Sequence, residues 1–257
     1  MIDCHAHLVD KKFKNDIDEV IEKAKEARVS KVVVVPEWPS QFDAVFELFA
    51  RHPDFIVPSL GLHPIRKNHK GVNREELKEL EAALEKYKGL VKCIGEVGLD
   101  YTVTLWKIDE DSMQAMRDVL KEETRLALLY DLPMTVHSRT AHKETIALLI
   151  ENGAKRVAMH AFGGTPEEAK HGVEHGFYFS IPPSFSINDQ GAALVASIPL
   201  ENLLLETDSP VLGPVKGERN VPANLIASAK FIAKVKNLSE INVIEATSAN
   251  ARKLFRL

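Results

Sequence analysis

Met1-Ile2-Asp3-Cys4-His5-Ala6-His7-Leu8 opens the chain: a short apolar segment whose imidazoles gather at its C-terminal end. Seven more segments rich in apolar and β-branched residues follow, at Lys31–Glu37, Phe55–His63, Val91–Leu99, Met134–Ser138, Arg156–Ala161, Phe177–Ile181 and Leu203–Thr207. The stretches between them read as helices. Ile17, Val20, Ile21 and Ala24 fall at helical spacing, as do Phe42, Val45, Phe46 and Phe49, and then Leu77, Leu80, Leu84 and Tyr87. Such stripes are core-facing sides of amphipathic helices. Thr165-Pro166-Glu167-Glu168 has the form of a capping box with Pro at the first helical position. Ser112 is expected to start a long helix through Val119, Leu120, Ala127 and Leu128, and two more helices are expected over Ala223–Lys236 and Glu240–Leu254.

Strands alternating with helices imply a parallel sheet. The 257 residues give about 32 per strand-helix unit over eight units, close to the roughly 30 a βαβ needs. The expected fold is therefore α/β, a (β/α)8 TIM barrel forming one domain over residues 1–257. The rival is an open doubly wound sheet, but no Gly-x-Gly-x-x-Gly follows the first strand and no Walker A motif occurs.

Composition narrows the function classes. With 45% apolar and 27% charged residues, the chain is neither collagen-like nor disordered. A net charge of −4 excludes a globally basic nucleic-acid binder, though not a local basic surface. No apolar run approaches the roughly 18 residues that suggest a membrane span, and Met1-Ile2-Asp3 lacks the features of a signal peptide. The expected location is cytoplasmic, with no membrane partner. Cys4 and Cys93 cannot build a disulfide framework and are read as buried reduced thiols.

The polar residues of the strands carry the chemistry. A His or carboxylate in an apolar parallel strand is costly unless paired or bound to metal, and here such residues collect at the C-terminal ends, where barrel active sites are built. His5 and His7 share a face because strand side chains alternate. Glu96 follows in Gly95-Glu96-Val97-Gly98-Leu99-Asp100, His137 in Val136-His137-Ser138-Arg139, His160 in Met159-His160-Ala161-Phe162 and Asp208 in Glu206-Thr207-Asp208-Ser209-Pro210. Each alone has an ordinary structural explanation as a buried polar residue with a backbone partner. Six together around one rim do not. They are too many for one four-coordinate zinc with an open position and suit two divalent ions with a bridging carboxylate. The ligand chemistry favours Zn²⁺, with Mn²⁺ or Fe²⁺ as alternatives and Mg²⁺ at a carboxylate-rich site. A metal-bound water has its pKa lowered towards about 7, so hydrolysis is the natural reaction class.

These motifs resemble those of the TatD-like metal-dependent hydrolases, within the amidohydrolase-like barrels. The resemblance spans nearly the whole chain, adding Gly61-Leu62-His63-Pro64 and Asn250-Ala251-Arg252-Lys253-Leu254-Phe255 to the stretches above. It implies His5, His7 and Asp208 on one metal, His137 and His160 on the other, and Glu96 bridging, with Asp208 also orienting or deprotonating the attacking water. It implies phosphodiester hydrolysis, in particular deoxyribonuclease action of the 3′–5′ exonuclease type on single-stranded DNA ends. The family commonly has Gln at positions 123 and 116, where Glu123 and Met116 stand here, Cys where Ala161 stands, and a small residue near Pro182-Pro183.

Around this set, His63 is expected to contact a substrate phosphate, with a supporting hydrogen bond as the alternative. Arg139 would clamp a phosphate or pair with Glu96 or Glu206. Glu206 would hold a third metal or be a buried partner of Arg139. Arg66-Lys67-Asn68-His69-Lys70 and Lys216-Gly217-Glu218-Arg219 put basic residues on the rim, and Trp38 or Trp106 offers a surface for base stacking. The competing functions are a metal-dependent amidase, esterase or aminoacyl-tRNA deacylase on the same site, and a non-catalytic nucleic-acid-binding or scaffold protein. Glu96 in place of a Lys that could be carboxylated argues against a lactonase-type centre.

Overall fold

The computed structural model describes residues 1–257 except 67, 69, 106, 107 and 188, and no side chain at 189 or 190. The strands are β1 (Ile2–Ala6), β2 (Lys31–Val34), β3 (Ile56–Leu60), β4 (Cys93–Gly98), β5 (Met134–His137), β6 (Val157–Met159), β7 (Tyr178–Ile181) and β8 (Leu203–Leu205). All seven neighbouring pairs are parallel, in the order β1 to β8. Beyond the last strands the Asp208 N–H donates to the His5 carbonyl at 2.9 Å and the His7 N–H to the Ser209 carbonyl at 2.7 Å. These bonds draw the two edges together. The result is a nearly closed (β/α)8 barrel, as expected.

Nine α-helices lie among the described residues: α1 (Ile17–Glu26), α2 (Phe42–Arg51), α3 (Leu77–Lys86), α4 (Glu110–Leu129), α5 (His142–Glu151), α6 (Pro166–Glu174), α7 (Asp189–Ser197), α8 (Leu225–Lys236) and α9 (Glu240–Phe255). The sequence stripes are their buried faces. Val20, Ile21 and Ala24 of α1 and Val45 and Phe46 of α2 are buried in the main core, and fully burying a side chain such as Val or Ile stabilises by about 1.5–3 kcal/mol. In α6, Thr165 Oγ1 accepts the Glu168 N–H while the Glu168 carboxylate accepts the Thr165 N–H at 2.8 Å, completing the capping box. α4 starts two residues before Ser112. Its N-cap is Asp109, whose carboxylate accepts both the N–H and the hydroxyl of Ser112, so Ser112 stabilises the cap from inside the first turn.

Burial decides the remaining details. Cys4 and Cys93 are free and buried, and burial pushes both thiols up. Ala251, Leu254 and Phe255 of α9 share a cluster with Ile2, Cys4 and Leu204, anchoring the C-terminus beside the seam between β1 and β8. No helix among the described residues is long and apolar enough to cross a membrane.

Several strands stop earlier than the apolar pattern suggests, and this shapes the rim. His7, His63, His160 and Asp208 stand just past strand ends, while His5 and Glu96 lie within β1 and β4. In both strands the ladder register shifts, between Asp3 and Ala6 and between Ile94 and Val97. Such irregularities re-aim side chains and recur next to active sites.

Candidate metal centre

Glu96 is the hub. Its side chain is almost fully buried, and its two oxygens face different imidazoles. Oε2 lies 3.5 Å from His5 Nε2 and 3.3 Å from His7 Nε2. Oε1 lies 2.9 Å from His137 Nδ1, 3.3 Å from His160 Nε2 and 3.5 Å from His63 Nε2. Asp208 joins the first group, with Oδ1 3.2 Å from His7 Nε2 and 3.8 Å from His5 Nε2. All six residues expected to hold metal therefore converge, and His63 with them.

Local sequence explains the convergence. A Cβ at Gly95 would come within 2.1 Å of Thr135 Cγ2, and one at Gly98, where φ is +141°, within 1.9 Å of the His137 carbonyl oxygen. Only glycine lets β4 approach β5 this closely on both sides of Glu96. Asp208 has φ +54°, a left-handed conformation that Asp tolerates better than most side chains. It ends the extended run of β8 at the point where its carboxylate meets His7.

A further ring of groups orients the imidazoles. Thr135 Oγ1 lies 2.9 Å from His5 Nδ1. Asp100 Oδ2 lies 3.0 Å from His137 Nε2 and also accepts from Arg139 Nε and Nη2, at 2.9 and 2.6 Å. Glu206 is completely buried, with Oε2 3.3 Å from His160 Nδ1 and accepting from Ser180 Oγ, while Oε1 accepts the Ala161 N–H at 2.9 Å. Among the described residues Arg139 thus pairs with the Asp100 carboxylate, and Glu206 supports His160. An imidazole held by a carboxylate at one nitrogen is the usual support of a metal-ligating His.

Asp100, Thr135 and Glu37 escaped sequence reasoning. Asp100 closes the Gly95–Asp100 motif but sits past the strand, so alternation said nothing of its direction. Thr135 is two residues before His137 on β5, so the same alternation puts it on the His137 face. Glu37 ends the second apolar segment and, like the candidate ligands, lines the cavity at the rim. Burial pushes that carboxyl up against the pull of His7.

Electrostatically the centre is poised for a cation. Burial pushes the Glu96 carboxyl up, but His63, His160 and His5 outweigh it and hold it well below the usual carboxylate range. Burial and His160 depress His5 to about 3. Burial also opposes protonation of His7, yet Asp208 and Glu96 raise it to about 9. His5 Nε2, Glu96 Oε2 and Asp208 Oδ1 are buried without hydrogen-bond partners. Buried polar atoms are normally satisfied, and three orphans around one point, all lone-pair donors when His5 is neutral, fit a divalent ion. Three overlapping groups of candidate ligands occur among the described residues: His5, His160 and Asp208; His5, His7 and Glu96; and His63, Glu96 and His137.

The centre opens into a cavity of about 920 Å³ whose wall includes Arg66, Arg139 and Trp38. The Trp38 indole N–H donates to the Ile65 carbonyl at 3.4 Å, which ties the ring to the neighbouring loop. Arg66 pairs with Glu76, and Arg219 with Asp16. Trp106, Lys67 and His69 lie outside the described residues.

Residues 2–256 match the family described as TatD related DNase. The chain belongs to that family. A putative deoxyribonuclease, TATDN3 of Mus musculus, is 44% identical over 259 residues, covering 99% of this chain and 88% of its own. An uncharacterized metal-dependent hydrolase of Bacillus subtilis, YabD, is 34% identical over 266 residues, covering 100% and 99%. Among solved structures, the TatD homolog YjjV of Escherichia coli superposes with a TM-score of 0.90 at 26% identity, covering 100% of this chain and 98% of that one. Membership of the TatD family and the barrel thus agree with the sequence reading.

Proposed function

We propose that the protein is a binuclear metal-dependent phosphodiesterase acting on DNA, removing nucleotides from single-stranded 3′ ends. The observation that carries this reading is Glu96, with Oε2 facing His5 and His7 and Oε1 facing His137 and His160. A carboxylate with donors on both sides is suited to bridge two ions. The names of the relatives, deoxyribonuclease and metal-dependent hydrolase, support the substrate and the metal.

His5, His7 and Asp208 would hold one ion, His137 and His160 the other, and Glu96 both. Imidazole with carboxylate suits Zn²⁺ first, then Mn²⁺ or Fe²⁺, with Mg²⁺ the weaker fit. Two such ions would supply Lewis acidity and lower the pKa of a water towards about 7. The protein's own groups do the rest. Asp208, at the cavity wall, receives the proton of the attacking water and orients it. Arg139, fixed by Asp100, and His63, fixed by the Ile65 backbone at Nδ1, contact the phosphate. Asp100 and Glu206 keep His137 and His160 turned towards the centre.

The test uses metal-reconstituted protein with 3′- and 5′-labelled DNA and RNA, beside small phosphoesters, carboxylic esters and amides. Release of mononucleotides from the 3′ end is expected, with Asp208→Asn losing most of the rate while still folded. Turnover of esters or amides alone would favour the amidase or deacylase alternative. An undiminished Asp208→Asn rate would overturn the assigned role of Asp208.

A further inference from the structure

The cavity that holds the metal centre does not end at the rim. Besides His7 and Glu96 its lining takes in the first βα loop, Ile17 at the start of α1, and Ala44, Leu48 and Arg51 of α2. Part of this lining is a 3-10 turn at Lys11–Phe13, fixed from several directions. The Asp10 carboxylate caps it by accepting the Lys12 N–H at 2.7 Å. Phe13 is buried beneath it. Arg219, from the loop after β8, lies 5.1 Å from the Phe13 ring centroid, donates to the Lys12 carbonyl at 2.7 Å and forks onto Asp16 at 3.0 and 2.6 Å. Arg219, read from the sequence as a rim cation, is thus a clamp on this turn.

The clamped turn presents three cations. Lys11, Lys12 and Lys14 line the cavity and are exposed, and no ion pair engages their ammonium groups among the described residues. Other cations nearby are neutralised: Arg51 by Asp18, Arg219 by Asp16 and Arg66 by Glu76. Of the acids that line the cavity away from the metal centre, Asp10 is committed to its cap, Glu37 is partly buried beside Trp38, and Glu47 belongs to α2. The lining of the same cavity also includes apolar Ile17, Ala44 and Leu48 and the aromatic Trp38. Cations on one turn and apolar and aromatic side chains lining the same cavity match a chain with phosphates along one edge and bases along the other.

We propose that this cleft is a binding track for the strand running away from the cleaved phosphodiester, with Lys11, Lys12 and Lys14 on its phosphates and Trp38 and the apolar lining residues against its bases. The inference rests on the nucleic-acid reading above and deepens it: the substrate class becomes a single strand several nucleotides long, not a dinucleotide. Phe13 and Arg219 are positioning residues for the track.

The test compares the wild type with Lys11→Gln/Lys12→Gln/Lys14→Gln, three exposed changes that leave the clamp intact. One arm measures binding of a labelled phosphorothioate dodecathymidylate by anisotropy between about 50 and 200 mM salt. Each lost phosphate contact removes roughly 0.7 from the slope of log affinity against log salt, so the triple variant should flatten it by about 2. A second arm measures kcat/KM for dodecathymidylate relative to the dinucleotide, and that ratio should fall in the variant. Trp38→Ala should weaken the oligonucleotide but not a heparin oligosaccharide of similar charge. An unchanged slope and length ratio in the triple variant, or equal losses for heparin and DNA with Trp38→Ala, would overturn the track. The anisotropy arm needs no turnover. Salt-sensitive binding without DNA cleavage would leave the track standing and overturn the nuclease reading, whereas cleavage with no lysine effect would do the reverse.

Discussion

Glu96 and Glu123 are the same residue type, both buried, and each has one carboxylate oxygen without a hydrogen-bond partner. Their surroundings differ. Around Glu96 stand five imidazoles within 3.5 Å of its oxygens, and they outweigh burial to hold its carboxyl well below the usual range. Around Glu123 burial pushes the carboxyl well above that range, opposed among the described residues by the Leu62 N–H, which donates to Oε1 at 2.8 Å. An orphaned buried oxygen points to a metal when other lone-pair donors converge on the same spot. Without them it points to a neutral carboxylic acid.

If Glu96 bridges two ions as proposed, Glu96→Gln removes a charge that both share, and the expected result is loss of bound metal together with nearly all activity, read by metal analysis and turnover. A variant that kept two ions per chain and full rate would show that Glu96 is no bridge.

Next come the carboxylates behind the ligands. Asp100→Asn and Glu206→Gln should each lower metal affinity or activity by about 10–100-fold, the usual cost of removing such a partner. The losses should be confined to the ion on the His137 and His160 side, a selectivity that competition with a chelator would resolve.

Metal uptake should itself depend on pH. His7 is raised to about 9 by Asp208 and Glu96 despite its burial, so at pH 7 the metal-free protein holds a proton there. Binding should release that proton, about one per ion on this side, and affinity should fall as pH is lowered. Calorimetry in buffers of different ionisation enthalpy reads the count, and no release at pH 7 would contradict the assignment of His7.

The smallest effect belongs to Glu123. Its folded pKa is raised above the unfolded value of about 4.3. The folded state therefore holds the proton more tightly, and this contribution to stability is present below about pH 4.3 and lost as pH rises towards the folded pKa. Glu123→Gln keeps an oxygen for the Leu62 N–H and removes the ionisation. The variant's Tm advantage should grow above pH 4.3, by at most about 1.36 kcal/mol per pH unit, or about 2–4 °C for each kcal/mol. Melts of metal-free protein between pH 4 and 8 with a constant difference would refute the neutral-acid reading.

Much of this was legible in the sequence because strand periodicity and barrel topology act together. Alternation put His5 and His7 on one face, and parallel strands put all eight C-terminal ends on one rim, so six candidate ligands from five strands could be named without coordinates, and the structure brings their side chains together. Partners supplied by loops were not legible. Arg139 could have met Glu96, Glu206 or a phosphate, and its pairing with Asp100 depends on how the segment after β4 turns back. Likewise Arg219 read as a rim cation until Asp16, more than 200 positions away, took up its guanidinium.

By itself the sequence determined the eight-fold alternation, the rim on which the polar residues gather, the candidate ligands and the TatD likeness, because these follow from local periodicity and residue chemistry. Only the tertiary structure decided how Glu96 divides its oxygens, which carboxylate supports which imidazole, and which lysines remain available beside the cavity. Those outcomes depend on register shifts in β1 and β4, on the close approach at Gly95 and Gly98, and on loops whose ends are fixed by distant strands. Pair formation among buried charges is settled by a few ångströms, and distances of that size are set only when the barrel closes.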